Sequence, residues 1–525
     1  MTRSGPFLVA LDIGTGSVRA HLLDVRGVRV ASASRPVRLD LGADGRAEVD
    51  LEQIWGHVCV VLPEILANIA PGRLLALGVA SALGYVLLDE QGRPLGGSIL
   101  WMDRRAGVEA VQLASLLNEE RLYRITGRNL DPEIFLAKLL WIRRHEPERY
   151  ARTRCFVGTK DDVIRRLTGA IASDPTHASY SMLYDVVRRA WSDEILSATD
   201  VSRSLLPPLR RAAEVAGRVT REAASCTGLP EGLPVVTGAS DGTVGCLAAG
   251  IATPGTAVNV TGTSDVLMTS TTHPILDPER RTLLNPHPVA DGWMVGGIMG
   301  TTGGALKWFA ETCCRDLPAI DRYRILDAEA ANVGVGARGV ICLTGLTGER
   351  APLWNPLARG VLFGLDLGHG RAEIVRAILE GVALGVRSVA EVLQESGADI
   401  RRIRVVGGGA ASALWNQIRA DAIGVPVERP SLTEGTATGI AVLAGLGVGV
   451  YLDLAEAART IAPVDAVYVP DPVRHQAYDA LATVRQAVYA GACEPFSALN
   501  RWRVGTETPP APGRSGDVDT ARGVR

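Results

Sequence analysis

Lysine is nearly missing from this chain. Lys138, Lys160 and Lys307 stand against 52 arginines. A genomic preference for arginine codons accounts for the bias. It also marks the three survivors as places where a compact ammonium is not interchangeable with a planar guanidinium. Cysteine is present at eight scattered positions, with no C-x-x-C and no metal-ligand spacing; Cys313-Cys314 is the only close pair. That pattern excludes a disulfide scaffold and points to a reduced cytoplasmic protein. Neither charge sign dominates, with 55 basic and 57 acidic residues, so neither nucleic acid nor an anionic membrane is expected as a partner. Gly435 to Leu452 carries no charge, but it is rich in Gly, Ala and Thr, which predicts a buried helix and not a membrane span. The opening MTRSGPFLVALD has too short an apolar run for a signal peptide. There is no G-x-x-x-x-G-K-[ST] sequence, so a P-loop is excluded as well.

What is present is organised around two Gly/Thr-rich turns, one near the front of each half. The first is Asp12-Ile13-Gly14-Thr15-Gly16-Ser17, after the apolar run Phe7 to Leu11. The second is Thr261-Gly262-Thr263-Ser264, after Thr256 to Val260. Both read as strand, tight turn, strand, because Val18 to Leu23 and Asp265 to Met268 return to strand patterns. A Rossmann fingerprint would open a helix instead. Turns without bulky side chains offer backbone N–H groups and hydroxyls to an anion, usually a phosphate. Two of them suggest a nucleotide clamped between two similar lobes, although an ordinary hairpin fits either turn taken singly.

The length allows roughly two to four domains. Strands are expected at 7–11, 18–24, 28–35, 74–79 and 85–89. Helices are expected at 51–70, 104–118, 135–146, 159–168 and 371–396, the last with Ile374, Ile378, Val382, Val386, Val389 and Leu393 at helical spacing. A second block begins near Pro254. Beyond about residue 495 the composition shifts toward a disordered tail that contains Pro509-Pro510-Ala511-Pro512.

Two further segments carry chemistry. In Thr237-Gly238-Ala239-Ser240-Asp241-Gly242, a short strand leads into a Gly-flanked carboxylate, followed by a small-residue helix over Cys246 to Gly250. A carboxylate so placed can accept a proton from an attacking hydroxyl, and it can equally cap a helix. In Val405-Val406-Gly407-Gly408-Gly409-Ala410, a strand runs into three glycines, which cost backbone entropy unless a ligand lies on them. Asn416 follows on the next helix.

DIGTGS, ASDG, TGTS, GGALKW, GERAPLWNP, ARGVLFGL, GGGAASALWNQIRAD and EGTATGIAVLAG occur in this order over about residues 7–450. KLLWI, from Lys138 with Pro147 after it, adds another signature. In this set and order the chain resembles the FGGY carbohydrate kinases. The resemblance implies an α/β fold with two ribonuclease-H-like (actin/sugar-kinase) lobes around a central cleft. The N-terminal lobe would span 7–250 and the C-terminal lobe 254–490, with a tail over 495–525. It also implies transfer of the γ-phosphoryl group of ATP, with Mg²⁺, to a sugar or polyol hydroxyl, and it leaves room for a homodimer. Carried over residue by residue, Asp241 is the general base and Asp12 holds Mg²⁺. Thr15, Gly16, Ser17 and Thr263 contact the phosphates. Gly303 and Lys307 lie along the nucleotide, and Gly408, Gly409, Ala410 and Asn416 bind adenosine. Trp101, Asp103, Arg104 and Glu133 are candidates for the sugar site. A non-catalytic sugar sensor on this fold would have lost Asp241 or Asp12; both are present, so an enzyme is expected.

The departures concern substrate more than chemistry. Xylulose kinases usually carry a Gln-Met-His-like run where this chain has Ala80-Ser81-Ala82-Leu83-Gly84-Tyr85, and Asn where it has Gly242. ASDG and GERAPLWN look closer to the gluconate kinase branch, whose Met-His is also absent. His177 stands where many relatives have Asp, and the sequence assigns it no role. A pentulose such as xylulose is the expected substrate, because a carboxylated sugar would set a like charge beside Asp241. Gluconate or another aldonate is the alternative, with Arg104 or Arg128 as the compensating cation.

Overall fold

The computed structural model describes residues 5–70, 72–131, 134–252, 254–432 and 435–507. The apolar run at the front forms β1 (Phe7–Ile13), every residue of which is buried. It is followed by β2 (Ser17–Asp24), β3 (Arg29–Pro36) and α1 (Leu51–Leu66). Asp50 caps α1 by accepting from the Glu52 N–H at 2.9 Å, and the helix stops short of the expected residue 70. Then come β4 (Leu74–Ser81), α2 (Phe135–His145), α3 (Thr159–Thr168), α4 (Pro175–Tyr180), β5 (Val215–Arg218), β6 (Pro234–Val236), β7 (Ala239–Ser240) and α5 (Asp241–Ala248). The strands form a seven-stranded sheet in the order β5-β6-β4-β1-β2-β3, with β7 beside β4. A smaller five-stranded sheet includes Gly84–Leu88, Ser98–Leu100 and Cys155–Gly158 and brings Tyr85 and Trp101 to the same side of this lobe.

The second half repeats the plan. Its strands are β8 (Gly255–Thr261), β9 (Asp265–Thr271), β10 (Leu283–Pro286), β11 (Trp293–Ile298), β12 (Ile400–Gly407), β13 (Val427–Pro430) and β14 (Val464–Tyr468). They form a seven-stranded sheet in the order β10-β11-β9-β8-β12-β13-β14. The helices are α6 (Gly303–Cys313), α7 (Arg371–Glu395), α8 (Ala413–Ile423), α9 (Gly435–Gly447) and α10 (Pro472–Glu507). In each half a hairpin lies against a third, parallel strand: β1 pairs β2 antiparallel and β4 parallel, and β8 pairs β9 antiparallel and β12 parallel. The molecule is therefore α/β with two lobes.

The charge-free segment after Gly435 forms the buried helix α9, and no described helix is long and apolar enough to cross a membrane. Although it belongs to the second half of the chain, α9 packs on β1 and β4 of the first lobe and against α5. The approach is close: a Cβ on Gly439 would lie 1.9 Å from the Val244 carbonyl oxygen.

Two expectations change. The helix after ASDG begins at Asp241 itself and not near Cys246, because the extended backbone of Ser240 (φ −66°, ψ 148°) serves as its N-cap. The stretch expected as tail from about 495 starts as helix, since α10 runs to Glu507 and Phe496 is buried against Leu343 and Ala358. Residues 508–525, including the proline cluster, lie outside the described residues.

Candidate active site

Asp241 owes its position to the backbone before it. Gly238 has φ +72°, and a Cβ there would sit 1.8 Å from the Val79 carbonyl oxygen. Only glycine allows the chain to cross β4 this closely. β7 then pairs with the end of β4, Ser240 opposite Ser81, and Asp241 follows as the first residue of α5. Its Oδ1 accepts from the Gly242 N–H at 2.7 Å. Burial pushes its carboxyl above the ordinary carboxylate range; the Gly242 bond and the charge of His177 act in the opposite direction. A carboxylate of raised proton affinity is a better base near neutral pH.

Asp241 faces a cavity of about 440 Å³ that lies between the lobes. Thr15, Tyr85, Trp101, Arg128 and Tyr180 line it from the first lobe; Ser264, Arg350 and Trp354 line it from the second. The Trp101 Nε1–H points at the Thr15 hydroxyl at 3.5 Å. Lys138, buried on α2, donates to the carbonyls of Leu100 (2.7 Å) and Trp101 (3.0 Å), and so fixes the segment that presents Trp101. Arg128 is buried and stacks over the Tyr180 ring at 3.4 Å from its centroid. Its Nε donates to Ser179 Oγ at 3.4 Å, and its Nη2 donates to Asn285 Oδ1 across the lobe boundary. Among the described residues, all three of these partners are uncharged.

A second cavity, of about 610 Å³, belongs to the C-terminal lobe. Gly262, Thr263, Gly303, Gly304, Gly408 and Gly409 give it a floor of bare backbone, and Lys307, Tyr323, Asp327 and Ser412 stand around it. Gly407 enters this floor with φ +93°, where a Cβ would lie 2.1 Å from the Thr261 carbonyl oxygen. The Gly409 N–H donates to Thr261 Oγ1 at 2.9 Å, tying the two turns of the lobe together. Both volumes fall within the roughly 300–1,000 Å³ usual for small-molecule sites. The turn Thr263-Ser264 separates them: Thr263 lines one cavity and Ser264 the other.

The remaining expected residues distribute as follows. Asp12 is buried near the end of β1, with Oδ2 3.3 Å from Arg19 Nη1. Gly16 is exposed and Ser17 half-buried in the same turn; neither lines either cavity, so the first turn meets the Asp241 cavity through Thr15. Lys307 and Gly303 line the nucleotide-sized cavity, and Lys307 has Glu311 3.9 Å away. Ala410 is buried and Ala411 lines the cavity in its place. Asn416 does not face the cavity. It is fully buried, its Nδ2 donates to the Ala410 carbonyl at 2.9 Å, and its Oδ1 accepts from Arg419 at 3.1 Å, so it holds the glycine turn from behind.

Asp103 is also corrected. Its carboxylate is buried, ion-paired to Arg105 at 2.6 Å and bonded by the Ala47 N–H at 2.8 Å, which leaves it outside the Asp241 cavity. Arg104 is exposed, with its backbone N–H on the Gly45 carbonyl, and does not line the cavity either. Glu133 lies outside the described residues. Sequence reasoning assigned no site role to Tyr180, Ser264, Trp354, Tyr323, Asp327 or Ser412. Ser264, Trp354 and Ser412 stood inside quoted motifs, which was a usable signal; the others carried none.

Bare glycine backbone around a nucleotide-sized cavity fits a flat base and phosphates lying on the main chain. Among the described residues no group of three or more His, Cys, Asp or Glu could hold a metal ion. Mg²⁺ needs no such group, since it takes one or two carboxylates with phosphates and water; the single buried Asp12 fits that donor set.

Comparison with known proteins agrees over most of the chain. Residues 7–248 match the N-terminal domain, and residues 257–448 the C-terminal domain, of the FGGY family of carbohydrate kinases. The autoinducer-2 kinase of Yersinia enterocolitica is 32% identical over 505 residues, covering 93% of this chain and 95% of its own. The crystal structure of xylulose kinase from Rhodospirillum rubrum superposes with a TM-score of 0.87 at 33% identity, covering 94% of this chain and 100% of that one. Gluconate kinase from Lactobacillus acidophilus superposes with the same TM-score at 25% identity, covering 94% and 99%.

Proposed function

The chain belongs to the FGGY family of carbohydrate kinases, and on that premise we propose that it moves the γ-phosphoryl group of ATP to one hydroxyl of a pentulose such as xylulose. The observation that carries the reading is the partition by Thr263-Ser264. A glycine-floored cavity lies on one side, and a cavity holding Asp241 lies on the other. Phosphoryl transfer asks for little else: a donor held in line, an acceptor oxygen, and a base within reach of its proton.

On the acceptor side, Trp101, Tyr180 and Trp354 give apolar faces to the carbon skeleton, and Asp241 takes the proton of the attacking hydroxyl. On the donor side, Gly303, Lys307, Gly408 and Gly409 hold the nucleotide, and Thr15 and Thr263 offer hydroxyls to its phosphates. Asp12 would hold Mg²⁺ from the β1 side. Bound ATP supplies the phosphoryl group, and the metal neutralises charge on the phosphates. A cytoplasmic location accords with eight free thiols.

The pentulose reading is supported by the xylulose kinase of 33% identity. One observation favours the aldonate reading instead. Arg128 reaches the acceptor cavity and pairs with neutral groups, so its charge is available to offset a substrate carboxylate beside Asp241. The deciding experiment is kcat/KM across D-xylulose, D- and L-ribulose, ribitol, erythritol, glycerol, gluconate and autoinducer-2, the acceptor in the Yersinia relative's name. A lead of about tenfold or more for gluconate, lost in Arg128→Gln, replaces the pentulose with an aldonate. No ATP turnover with any member, by a correctly folded protein, sinks the kinase assignment to this substrate class.

A further inference from the structure

Directly behind Asp241 lies a cluster of buried polar groups that the chemistry above does not use. Lys160, on α3, has Asp161 and Asp174 as ion-pair partners, the latter at 3.0 Å, and donates to the Thr237 carbonyl at 3.0 Å. Asp174 precedes α4 and accepts from the Thr176 N–H at 2.7 Å and from the Thr176 hydroxyl. Its other oxygen meets His177 Nδ1 at 3.0 Å. Lys160, Asp174 and His177 show no exposed surface, Thr176 is 1% exposed, and none of the four lines the acceptor cavity.

Two bonds leave this cluster toward the catalytic strands. The Thr176 hydroxyl, which donates to Asp174, accepts from the backbone N–H of Ser240 at 3.2 Å. His177 Nε2 meets Ser81 Oγ at 3.3 Å. Ser240 and Ser81 are register partners on β7 and β4, and Ser240 is the N-cap of the helix whose first residue is Asp241. The cluster thus grips both strand ends at the point where the chain turns into the base. Buried ion pairs are a poor route to stability, because well-packed apolar groups of equal volume are often as good. Fixing a geometry is what such a network does better.

We propose that Thr176, with Asp174 and His177 behind it, is a positioning device that sets the orientation of Asp241. Thr176 fixes the backbone from which the carboxylate projects, through one hydroxyl oriented by Asp174. His177 braces the neighbouring strand through Ser81. The inference rests on Asp241 being the base.

The test uses the full-length protein and three variants, with Asp241→Asn as reference. Thr176→Val removes the hydroxyl at nearly constant volume, and Thr176→Ser keeps it. Thr176→Val is expected to lower kcat about tenfold, with both KM values within about twofold of the parent, and Thr176→Ser to restore kcat to within about twofold. His177→Gln removes the ring that joins Asp174 to Ser81, and it is expected to lower kcat about threefold or more with both KM values within about twofold of the parent. Equal losses in Thr176→Val and Thr176→Ser overturn the proposal. So does an unchanged kcat in His177→Gln. If Thr176→Val does not fold, the kcat of Thr176→Ser and the kcat and KM of His177→Gln decide in the same way. Full activity in Asp241→Asn would instead remove the base assignment, and is read separately.

Discussion

The two lobes build the same turn on the same strand order and then equip it differently. In the first, β1 ends beside β4 with Ile13 opposite Ser81; in the second, β8 ends beside β12 with Thr261 opposite Gly407. One register step back from these pairs, the first lobe carries Asp12 opposite Ala80 and the second carries Val260 opposite Val406. One step beyond, the second lobe has the run Gly408-Gly409, and the first has Ala82-Leu83. The first lobe brings the carboxylates of Asp12 and Asp241, with the Lys160–Asp174–His177 cluster beneath them. The second lobe gives its cavity a floor of glycine backbone, with Lys307, Arg324 and Asp327 around it. The difference suits the division of labour. A polyanion is best met by N–H groups and small residues that let it approach, whereas deprotonating a neutral hydroxyl needs a carboxylate.

The comparison can be broken most severely at its charged end. Asp241→Asn should lose kcat on the order of 10²-fold or more while nucleotide affinity stays near that of the parent. Steady-state rates and a nucleotide-binding titration check both halves of that statement. Asp12→Val gives β1 the residue type that β8 carries at the equivalent register. Loss of about tenfold or more in turnover, with a changed Mg²⁺ titration and an unchanged sugar KM, is expected. An unaltered Mg²⁺ requirement would detach Asp12 from the metal.

Changes in the glycine floor of the second lobe should be felt on the nucleotide side only. A Cβ on Gly409 would lie 3.0 Å from Thr261 Oγ1 and 3.1 Å from Arg419 Nη2. Gly409→Ala is therefore expected to raise the KM for ATP by about three- to tenfold and leave that for sugar alone. The pH profile sharpens the same contrast. As the proposed base, Asp241 would act deprotonated, and burial holds its carboxyl above the ordinary range, so kcat/KM should fall as pH drops through a limb above the ordinary Asp value of about 4. Gly409→Ala should keep the midpoint of that limb. The smallest effect is on shape. The acceptor cavity is lined from both lobes, so sugar together with a non-hydrolysable ATP analogue should draw them closer. Small-angle scattering would register this as a modest drop in radius of gyration, and none for either ligand alone.

How much of the site was readable in advance depends on what each residue answers to. Thr263, Gly408, Gly409 and Asp241 are set by their own segments: a strand, a turn that excludes side chains, and the next element. Patterns of that kind are written contiguously. Asp103 and Asn416 carry equally suggestive side chains, but Arg105 and Ala47 take one, and Ala410 and Arg419 take the other. Of the two arginines named as compensating cations, Arg128 reaches the cavity and Arg104 does not, and Tyr180 and Asp327 reach the cavities without any local signature. The expected tail shows the same limit: the start of its polar, proline-bearing stretch is held as helix where Phe496 meets Leu343 and Ala358.

The three lysines join the two scales. Their rarity singled them out, and the fold uses them in two ways: Lys138 beneath Trp101 and Lys307 at the nucleotide-sized cavity meet the cleft, while Lys160 is buried outside both cavities with Asp161, Asp174 and the Thr237 carbonyl. Sequence alone was enough for the two-lobe α/β plan, the paired glycine turns and the Gly-flanked carboxylate of Asp241, because strand burial, turn backbone and a side chain set between glycines are properties of contiguous residues. Which cavity each turn would face, which polar groups would be consumed inside the protein, and what would stand behind Asp241 were decided only on folding. Those outcomes depend on side chains that meet from segments far apart in the chain, such as Arg128 with Asn285 and Thr176 with Ser240. A buried donor or acceptor takes whichever partner packing brings to it.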